Sequence, residues 1–260
     1  MSTQCRFLVN HQTNRILMYS HKCGVATYEH LINQHHSGDK DFLKVYKIKK
    51  IGNWDIIKHF DEIDLFVNQY NQSQFKKVMI TRNPYDRIIS FFTNSWWDQV
   101  LKAEYSTEKV AHYDFYQIIY GNKYEEVLDL RKYGDFQESF DFFLNSYFVN
   151  PTIGSIAEKQ TNGGFGNVHL IPQSAKYRRE NNEVLLTDIK FIDVKDGLPN
   201  GHQSNYLLKF LELPKTNDQL FNKSSGTKRR SAKPASEYFS PEVKKVIDEV
   251  YANDFSDFGY

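Results

Sequence analysis

The amino-acid sequence predicts an α/β fold in which a central parallel sheet is flanked by helices. Short apolar segments with strand-like alternation are separated by segments of helical periodicity, which gives the order β, α, β, α, β up to Arg82. Strands separated by helices favour parallel pairing through right-handed crossovers. Ligands of such sheets bind at the carboxyl ends of the strands, so the residues that follow each strand are the first candidates for a functional site.

The first two strands are predicted in "CRFLV" (5–9) and "RILMYS" (15–20), because two apolar runs joined by the turn formers "NHQTN" are typical of a hairpin or of a strand with an edge partner. A helix is predicted in "ATYEHLINQHH" (26–36), whose apolar residues recur at helical spacings. The next elements are predicted as a strand in "DFLKVYKI" (41–48), a helix in "WDIIKHFDEIDLFVNQY" (54–70) and a strand in "FKKVMITRNP" (75–84).

The rest of the chain is predicted to be mainly helical. Its aromatic side chains between Tyr85 and Phe148 are expected to pack in the core. The later elements are a loop in "TNGGFGNVHLIPQS" (161–174), a strand in "KFIDV" (190–194), a helix in "SNYLLKFLEL" (204–213) and a last helix in "SPEVKKVIDEVYANDF" (240–255). Without an internal repeat or a clear boundary, residues 1–260 are predicted to form a single domain.

Composition excludes several classes of function. With 260 residues, of which 40% are hydrophobic and 15% aromatic, the chain can bury a sizeable core. Its formal net charge of +1 at pH 7 provides no long-range field for a polyanion, so nucleic acid is not expected as a partner. The paired histidines lack cysteine or acidic partners at ligand spacing, so no metal is expected either.

Cysteine content and hydropathy favour a cytoplasmic protein. Cys5 and Cys23 are the two cysteines of the sequence, too few for a disulfide framework in a chain of this length, which suits a reducing compartment. The sequence contains no apolar run of about 18 residues, and its first residues lack the apolar segment of a signal peptide. We therefore expect no transmembrane segment.

The stretch "HKCG" (21–24) places a lysine in the turn between a predicted strand and a predicted helix. The start of a helix presents unpaired backbone N–H groups and a partial positive charge, and Lys22 adds a full charge. Phosphate binding is one interpretation of this lysine. A solvated turn residue is the other, since well-known phosphate loops contain more glycine.

A second candidate anion site follows the predicted strand that ends near Arg82. Pro84 is expected to begin a helix that carries Arg87 and Ser90. Arg82 and Ser90 can then converge on one anion, since arginine offers a planar fork of donors and serine a short hydroxyl suited to a terminal phosphate. The alternative is that Arg82 forms a surface ion pair and Ser90 faces solvent.

Together these stretches resemble the nucleotide-binding motifs of sulfotransferases that use 3′-phosphoadenosine-5′-phosphosulfate (PAPS). "HKCGVAT" (21–27) is similar to the turn that holds the 5′-phosphosulfate, and "RNPYDRIIS" (82–90) is similar to the Arg and Ser pair that holds the 3′-phosphate. Three further stretches resemble the HNK-1 and chondroitin group of carbohydrate sulfotransferases: "HLIPQ" (169–173), "FNKSS" (221–225) and "VYANDFSDFGY" (250–260). The resemblance implies a P-loop-like sulfotransferase fold, PAPS as co-substrate with PAP as product, and a carbohydrate or glycoconjugate acceptor.

The resemblance also implies roles for individual residues. Lys22 is expected to stabilise the negative charge that builds on the leaving phosphate during direct in-line transfer of SO3. Further phosphate contacts are expected from Cys23, Gly24, Val25, Ala26 and Thr27. A base that is neutral at pH 7 suits histidine, and His169 in the family-like loop is the first candidate, with His59 as the second.

The basic stretch "NKSSGTKRRSAKP" (222–234) is a candidate cover over the nucleotide. Ser225 and Lys228 are its candidate contacts. A solvated basic loop that contacts nothing is the alternative.

Two other functions compete with sulfuryl transfer. A P-loop kinase shares the strand, loop and helix, but it requires G-x-x-x-x-G-K-[ST], which the sequence lacks. A non-catalytic nucleotide-binding or carbohydrate-binding module on the same fold stays open, and binding of PAP without sulfate transfer would favour it.

Overall fold

The computed structural model of the chain describes residues 6–20, 22–24, 28, 31–32, 35, 50–57, 63–71, 73–97, 113–126, 135–149, 169–178, 183–197, 201–214 and 234–260. The chain divides into two compact units. The first unit combines Met1–Arg82 with Gln173–Ser224, and the second combines Asn83–Pro172 with Ser225–Tyr260. The single domain predicted for residues 1–260 stays a prediction.

The first unit contains a six-stranded sheet in the order β3-β4-β1-β2-β5-β6. Its strands are β1 (Arg6–Asn10), β2 (Arg15–Tyr19), β3 (Lys50–Ile51), β4 (Trp54–Ile57), β5 (Lys76–Thr81) and β6 (Ile189–Asp193). β2 pairs in parallel with β5, and β5 pairs in parallel with β6. The carboxyl ends of these three strands therefore share one edge of the sheet, and the residues that follow them directly are Ser20, Arg82 and Val194.

The remaining strand pairs are antiparallel, so the predicted parallel core of β2, β5 and β6 continues into an antiparallel side and the whole sheet is mixed. β1 and β2 form the expected hairpin, in which Val9 lies opposite Ile16. β4 pairs antiparallel with both β1 and β3. Antiparallel strands at one side of a parallel core are common in α/β sheets, and the predicted α/β class is confirmed.

The regular helices are α1 (Ile63–Tyr70), α2 (Pro84–Phe92), α3 (Tyr113–Tyr120), α4 (Phe136–Leu144), α5 (Val194–Gly197), α6 (Ser204–Phe210), α7 (Pro241–Val250) and α8 (Ala252–Phe258). The last predicted helix is thus two helices that meet at Tyr251, whose φ of −107° and ψ of 21° interrupt the helical geometry. Tyr28, Leu31, Ile32 and His35 are also helical, as predicted for the segment after the Lys22 turn.

One predicted helix begins as a strand. Residues 54–70 form β4 followed by α1, rather than one continuous helix. Gly52 has a φ of 56° in the two-residue turn between β3 and β4, and the side chain of Trp54 is fully buried. A short apolar run cannot be assigned from periodicity alone, and here the Gly52-Asn53 turn decides in favour of a strand. The strand predicted over 41–48 lies outside the described residues.

The core of the first unit lies where the sheet meets its helical segments. Buried apolar residues of this cluster come from the strands (Leu8, Leu17, Val78, Ile80 and Ile192) and from the helical segments (Tyr28, Leu31, Ile32, Leu207 and Phe210). Removal of this surface from water stabilises the sheet, and it thereby fixes the strand ends that carry the candidate site residues.

The second unit has an aromatic core. The side chain of Asn83 accepts a hydrogen bond from the backbone N–H of Tyr85 at 3.0 Å, which caps α2, and Pro84 occupies the first turn of that helix. Fully buried aromatic side chains of this core are Phe91, Phe92, Trp96, Phe140 and Phe143. Aromatic side chains between Tyr85 and Phe148 were predicted to pack in the core, and those that the structure describes as fully buried do so.

Candidate functional site

The turn after β2 holds Lys22 in a constrained backbone conformation. The backbone N–H of Cys23 donates to the carbonyl oxygen of Ser20 at 3.2 Å, which closes the turn. Lys22 has a φ of 68° and Gly24 a φ of 75°, a left-handed conformation that costs a lysine free energy but not a glycine. The N–H of Tyr28, a helical residue, donates to the carbonyl oxygen of Gly24 at 3.2 Å, which ties the turn to the helical segment.

Gly24 is also required by the space around it. A Cβ atom at this position would lie 3.1 Å from Cγ2 of Val194 and 3.2 Å from Cε2 of Tyr28. Both distances are shorter than ordinary van der Waals contact. The glycine therefore lets the turn pack closely against the helical residue Tyr28 and against Val194, which follows β6.

Lys22 is a partly buried cation beside a second cation. Burial disfavours its charged form, and the positive charge of Arg82 adds to this, so the pKa of Lys22 is lowered to about 8. Within the described part of the chain, no carboxylate forms an ion pair with this ammonium group. An anionic ligand would supply the missing partner and restore the charged form.

Arg82 follows β5 and bonds to the Lys22 turn. Its Nη1 donates to the carbonyl oxygen of Lys22 at 2.9 Å. This bond orients the guanidinium group and places it against the turn. The structure therefore brings together Lys22, Cys23, Gly24 and Arg82, four of the residues predicted from the sequence.

Gln173 joins the same cluster, although the sequence predicts no role for it. Its side chain is fully buried, and its amide bonds to the backbone of Arg82 and to the thiol of Cys23. The sequence contains one signal that points to this residue, because Gln173 ends the family-like stretch "HLIPQ" (169–173).

Ser20 adds a hydroxyl group to this edge of the sheet. The residue is 1% exposed, and its Oγ has no hydrogen-bond partner among the described residues. A buried hydroxyl without a partner costs free energy, which an oxygen atom of a ligand would recover. The sequence analysis does not predict Ser20 as a site residue. Its position directly after β2, at the carboxyl end of a parallel strand, is the feature that indicates it.

Ser90 belongs to the second unit, where it lies on α2 and is 7% exposed. The amide nitrogen of Asn94 donates to the backbone oxygen of Ser90 at 2.9 Å and to its Oγ at 3.4 Å. Because a hydroxyl oxygen can accept from Asn94 while its hydrogen donates elsewhere, the contact leaves Ser90 able to bind a phosphate oxygen. Its convergence with Arg82 stays a prediction.

His169 also belongs to the second unit, and the residues around it are held in place. Its half-buried ring stacks on Phe91 with a centroid distance of 5.4 Å and an interplanar angle of 27°. The hydroxyl of Tyr251 donates to the carbonyl oxygen of Leu170 at 2.5 Å, and Nη1 of Arg87 donates to that of Ile171 at 2.7 Å. Two consecutive carbonyl groups after His169 are thus fixed by α2 and by the junction of α7 and α8.

Tyr251 begins the pattern that ends the chain, "YANDFSDFGY" (251–260). Its contact with Leu170 gives this pattern a structural role, the anchoring of the His169 segment. Arg87 and Asp254, both fully buried, lie in the same core.

Six predicted site residues lie outside the described part of the chain: Val25, Ala26, Thr27, His59, Ser225 and Lys228. Across the described ranges, no group of three or more His, Cys, Asp or Glu residues is arranged to hold a metal ion. In those ranges no helix is both long enough and apolar enough to cross a membrane.

The fold and these groups define an α/β protein whose parallel strands end in a cationic turn. A model of the sulfotransferase family matches residues 7–260. The chain belongs to the sulfotransferase family, and this membership implies sulfuryl transfer from a sulfate donor such as PAPS. No curated protein and no solved structure matches the chain.

Proposed function

We propose that the protein is a PAPS-dependent sulfotransferase that moves a sulfuryl group to a hydroxyl of a carbohydrate or glycoconjugate by direct in-line transfer. The observation that carries the proposal is the contact of Lys22 with Arg82 at the carboxyl edge of the parallel strands, where no described carboxylate neutralises Lys22. Family membership supports PAPS as the donor. The motif resemblance to the HNK-1 and chondroitin group supports a carbohydrate acceptor.

Lys22 is proposed to bind the 5′-phosphosulfate and to stabilise the leaving phosphate. PAPS supplies a sulfuryl group activated by this phosphate. A partly desolvated ammonium group interacts with developing negative charge more strongly than one in water, because the local dielectric constant is lower. The proposed assisting groups are the backbone amides of Cys23, Gly24, Val25 and Ala26 and the hydroxyl of Thr27.

Arg82 and Ser90 are proposed to bind the 3′-phosphate. A guanidinium group provides paired N–H donors that match two phosphate oxygens, and its charge strengthens both bonds. The bond from Arg82 to the Lys22 carbonyl uses one of its five donors, so the others can serve the ligand. Ser225 and Lys228 are proposed as contacts of a cover over the nucleotide.

His169 is proposed to accept the proton of the acceptor hydroxyl. A catalytic base must be oriented as well as unprotonated. Stacking on Phe91 and the anchored carbonyl groups of Leu170 and Ile171 restrict the orientation of the imidazole ring. His59 is the second candidate.

A cytoplasmic location is proposed as well. Cys23 is a buried thiol that forms no disulfide, and its hydrogen bond to Gln173 requires the reduced form. A reducing compartment preserves such a contact.

Nucleotide-dependent thermal stabilisation tests the donor. A ligand that binds the folded state raises the melting temperature, so PAP should raise it, and ATP should do so far less because it lacks the 3′-phosphate. Equal shifts with ATP and PAP would contradict the proposal.

Transfer of radiolabelled sulfate from PAPS to a panel of glycans, glycolipids and small hydroxylated metabolites tests the reaction and the acceptor. Incorporation into a glycan supports a carbohydrate acceptor. Stabilisation by PAP without incorporation into any acceptor would instead identify a non-catalytic binding module.

A further inference from the structure

The side-chain amide of Gln173 bonds to the main chain of Arg82 in both directions. Its Nε2 donates to the carbonyl oxygen of Arg82 at 2.7 Å, and the backbone N–H of Arg82 donates to its Oε1 at 3.0 Å. The same Oε1 accepts a hydrogen bond from Sγ of Cys23 at 3.0 Å. One side chain therefore contacts both the residue after β5 and the turn after β2.

This arrangement is sensitive to loss of the amide. Gln173 is 0% exposed and begins a helical turn (Gln173–Lys176). Without this amide, the backbone N–H and the backbone carbonyl of Arg82 would each lose a hydrogen bond, and so would the Cys23 thiol. Water does not reach the position of the Gln173 side chain to replace these bonds. Lost hydrogen bonds in such a site carry a desolvation cost that an apolar replacement cannot offset.

The two segments that Gln173 connects carry like charges. Arg82 donates to the backbone of Lys22 at 2.9 Å, which keeps its guanidinium group next to the Lys22 turn. Mutual repulsion favours separation of the two cations when no anion is bound. A neutral amide that bonds to both segments opposes this separation without cancelling either charge.

We infer that Gln173 is a positioning residue that holds the Lys22 turn against Arg82, so that both cations are in place before the nucleotide binds. The inference rests on the proposed function, since it assigns the assembled pair to PAPS. Preorganised donors bind more tightly because ordering is complete before association. Gln173 itself needs no contact with the ligand.

The first measurement needs no nucleotide. In the wild type, the pKa of Lys22 is lowered to about 8 by burial and by Arg82. In Gln173→Met only the bond from Arg82 to the Lys22 carbonyl opposes the repulsion, so the two cations should separate more often, and the pKa of Lys22 should rise toward its ordinary value of 10.5 as burial and the charge of Arg82 act less on it. NMR titration of the protein labelled with ¹³C at lysine Cε measures this pKa, and Lys22→Met identifies the resonance.

The second measurement is calorimetric titration with PAP. Gln173→Met should weaken PAP binding by about tenfold or more, because only a fraction of the molecules holds the two cations together. Cys23→Ala removes one weak thiol donor and keeps both bonds to Arg82, so a loss of about threefold is expected. This second variant also tests the inference if Gln173→Met does not fold.

Gln137→Met is the matched control. Gln137 lies on α4, and its amide donates to the carboxylate of Asp141 at 2.9 Å and to the backbone oxygen of Tyr238 at 3.0 Å. The substitution thus removes a bonded glutamine amide elsewhere in the chain. It should lower the melting temperature but leave the pKa of Lys22 and the affinity for PAP unchanged.

The outcomes separate the inference from the proposed function. If Gln173→Met lowers the melting temperature but keeps the wild-type affinity for PAP, the inference is overturned. Gln173 would then stabilise the fold without positioning the two cations. An unchanged pKa of Lys22 in that variant would overturn it as well. If the wild type fails to bind PAP, the proposed function fails, while the Lys22 titration still decides whether Gln173 holds the two cations together.

Discussion

Replacing Lys22 by methionine is expected to stabilise the nucleotide-free protein. Methionine keeps an unbranched apolar stem and removes the charge, and the φ of 68° is unfavourable for both residues. Burial and the charge of Arg82 lower the pKa of the lysine from 10.5 to about 8. The charged side chain is therefore less favourable in the folded protein than in the unfolded chain.

The size of this effect follows from the pKa. A decrease from 10.5 to about 8 corresponds to on the order of 3 kcal/mol, because one pH unit is about 1.4 kcal/mol. Lys22 remains partly exposed, and solvent screening reduces the expected gain to about 1–2 kcal/mol at neutral pH. Above pH 8 the folded wild type loses its proton before the unfolded chain does, so its stability rises until pH 10.5 and the advantage of the variant disappears.

Urea unfolding of both proteins near pH 7 and near pH 10 measures the free energy of unfolding. Lys245→Met, which replaces an exposed lysine on α7, controls for the gain of an apolar side chain. Saturating PAP should reverse the order of stability, because the wild type binds it more tightly. A variant that is less stable than the wild type at neutral pH, or whose gain persists at the higher pH, would refute the electrostatic reasoning.

The remaining predictions concern four substitutions. Arg82→Ala should weaken PAP binding about tenfold or more by calorimetry, with a smaller loss for adenosine 5′-phosphosulfate, which lacks the 3′-phosphate; equal losses would contradict the assignment. Gly24→Ala should lower the unfolding free energy in urea by about 1–2 kcal/mol, because the φ of 75° and a contact of 3.1 Å with Val194 both disfavour a Cβ. Tyr251→Phe should cost about 1–3 kcal/mol in the same assay, since a buried carbonyl loses its donor; an unchanged midpoint would show that the bond is unimportant. His169→Ala should reduce sulfate transfer about 100-fold while PAP affinity is retained, and a more acidic acceptor hydroxyl should lessen the loss.

Local signals made the Lys22 turn and the end of β5 predictable. The apolar runs in "RILMYS" (15–20) and "FKKVMIT" (75–81) are typical of buried strands, and each is followed by a basic residue within a few positions. The hairpin of β1 and β2 was predictable for the same reason. The strand β4 was not, because its apolar residues also fit a helical spacing and its pairing with β1 depends on a distant segment.

Gln173 and Tyr251 were not predictable as parts of a site because their partners are remote in the sequence. The bond between Cys23 and Gln173 spans 150 positions, and that between Tyr251 and Leu170 spans 81. A side chain that bonds to a distant backbone group leaves no periodic pattern. Resemblance to a family marked both stretches, but the structure supplies the physical reason for them.

The turn after β2 combines features that each destabilise the free protein. Lys22 has a left-handed φ of 68°, its pKa is lowered to about 8, and the buried hydroxyl of Ser20 has no partner among the described residues. Each feature costs about 1–3 kcal/mol in typical proteins, and a sequence optimised for stability alone would replace them. An anion bound in this turn would pair with the ammonium group and can accept from the hydroxyl, so the cost of the last two features is recovered on binding. Stabilising substitutions in the free protein should therefore be concentrated at this turn, and those that replace Lys22 or Ser20 should weaken nucleotide binding.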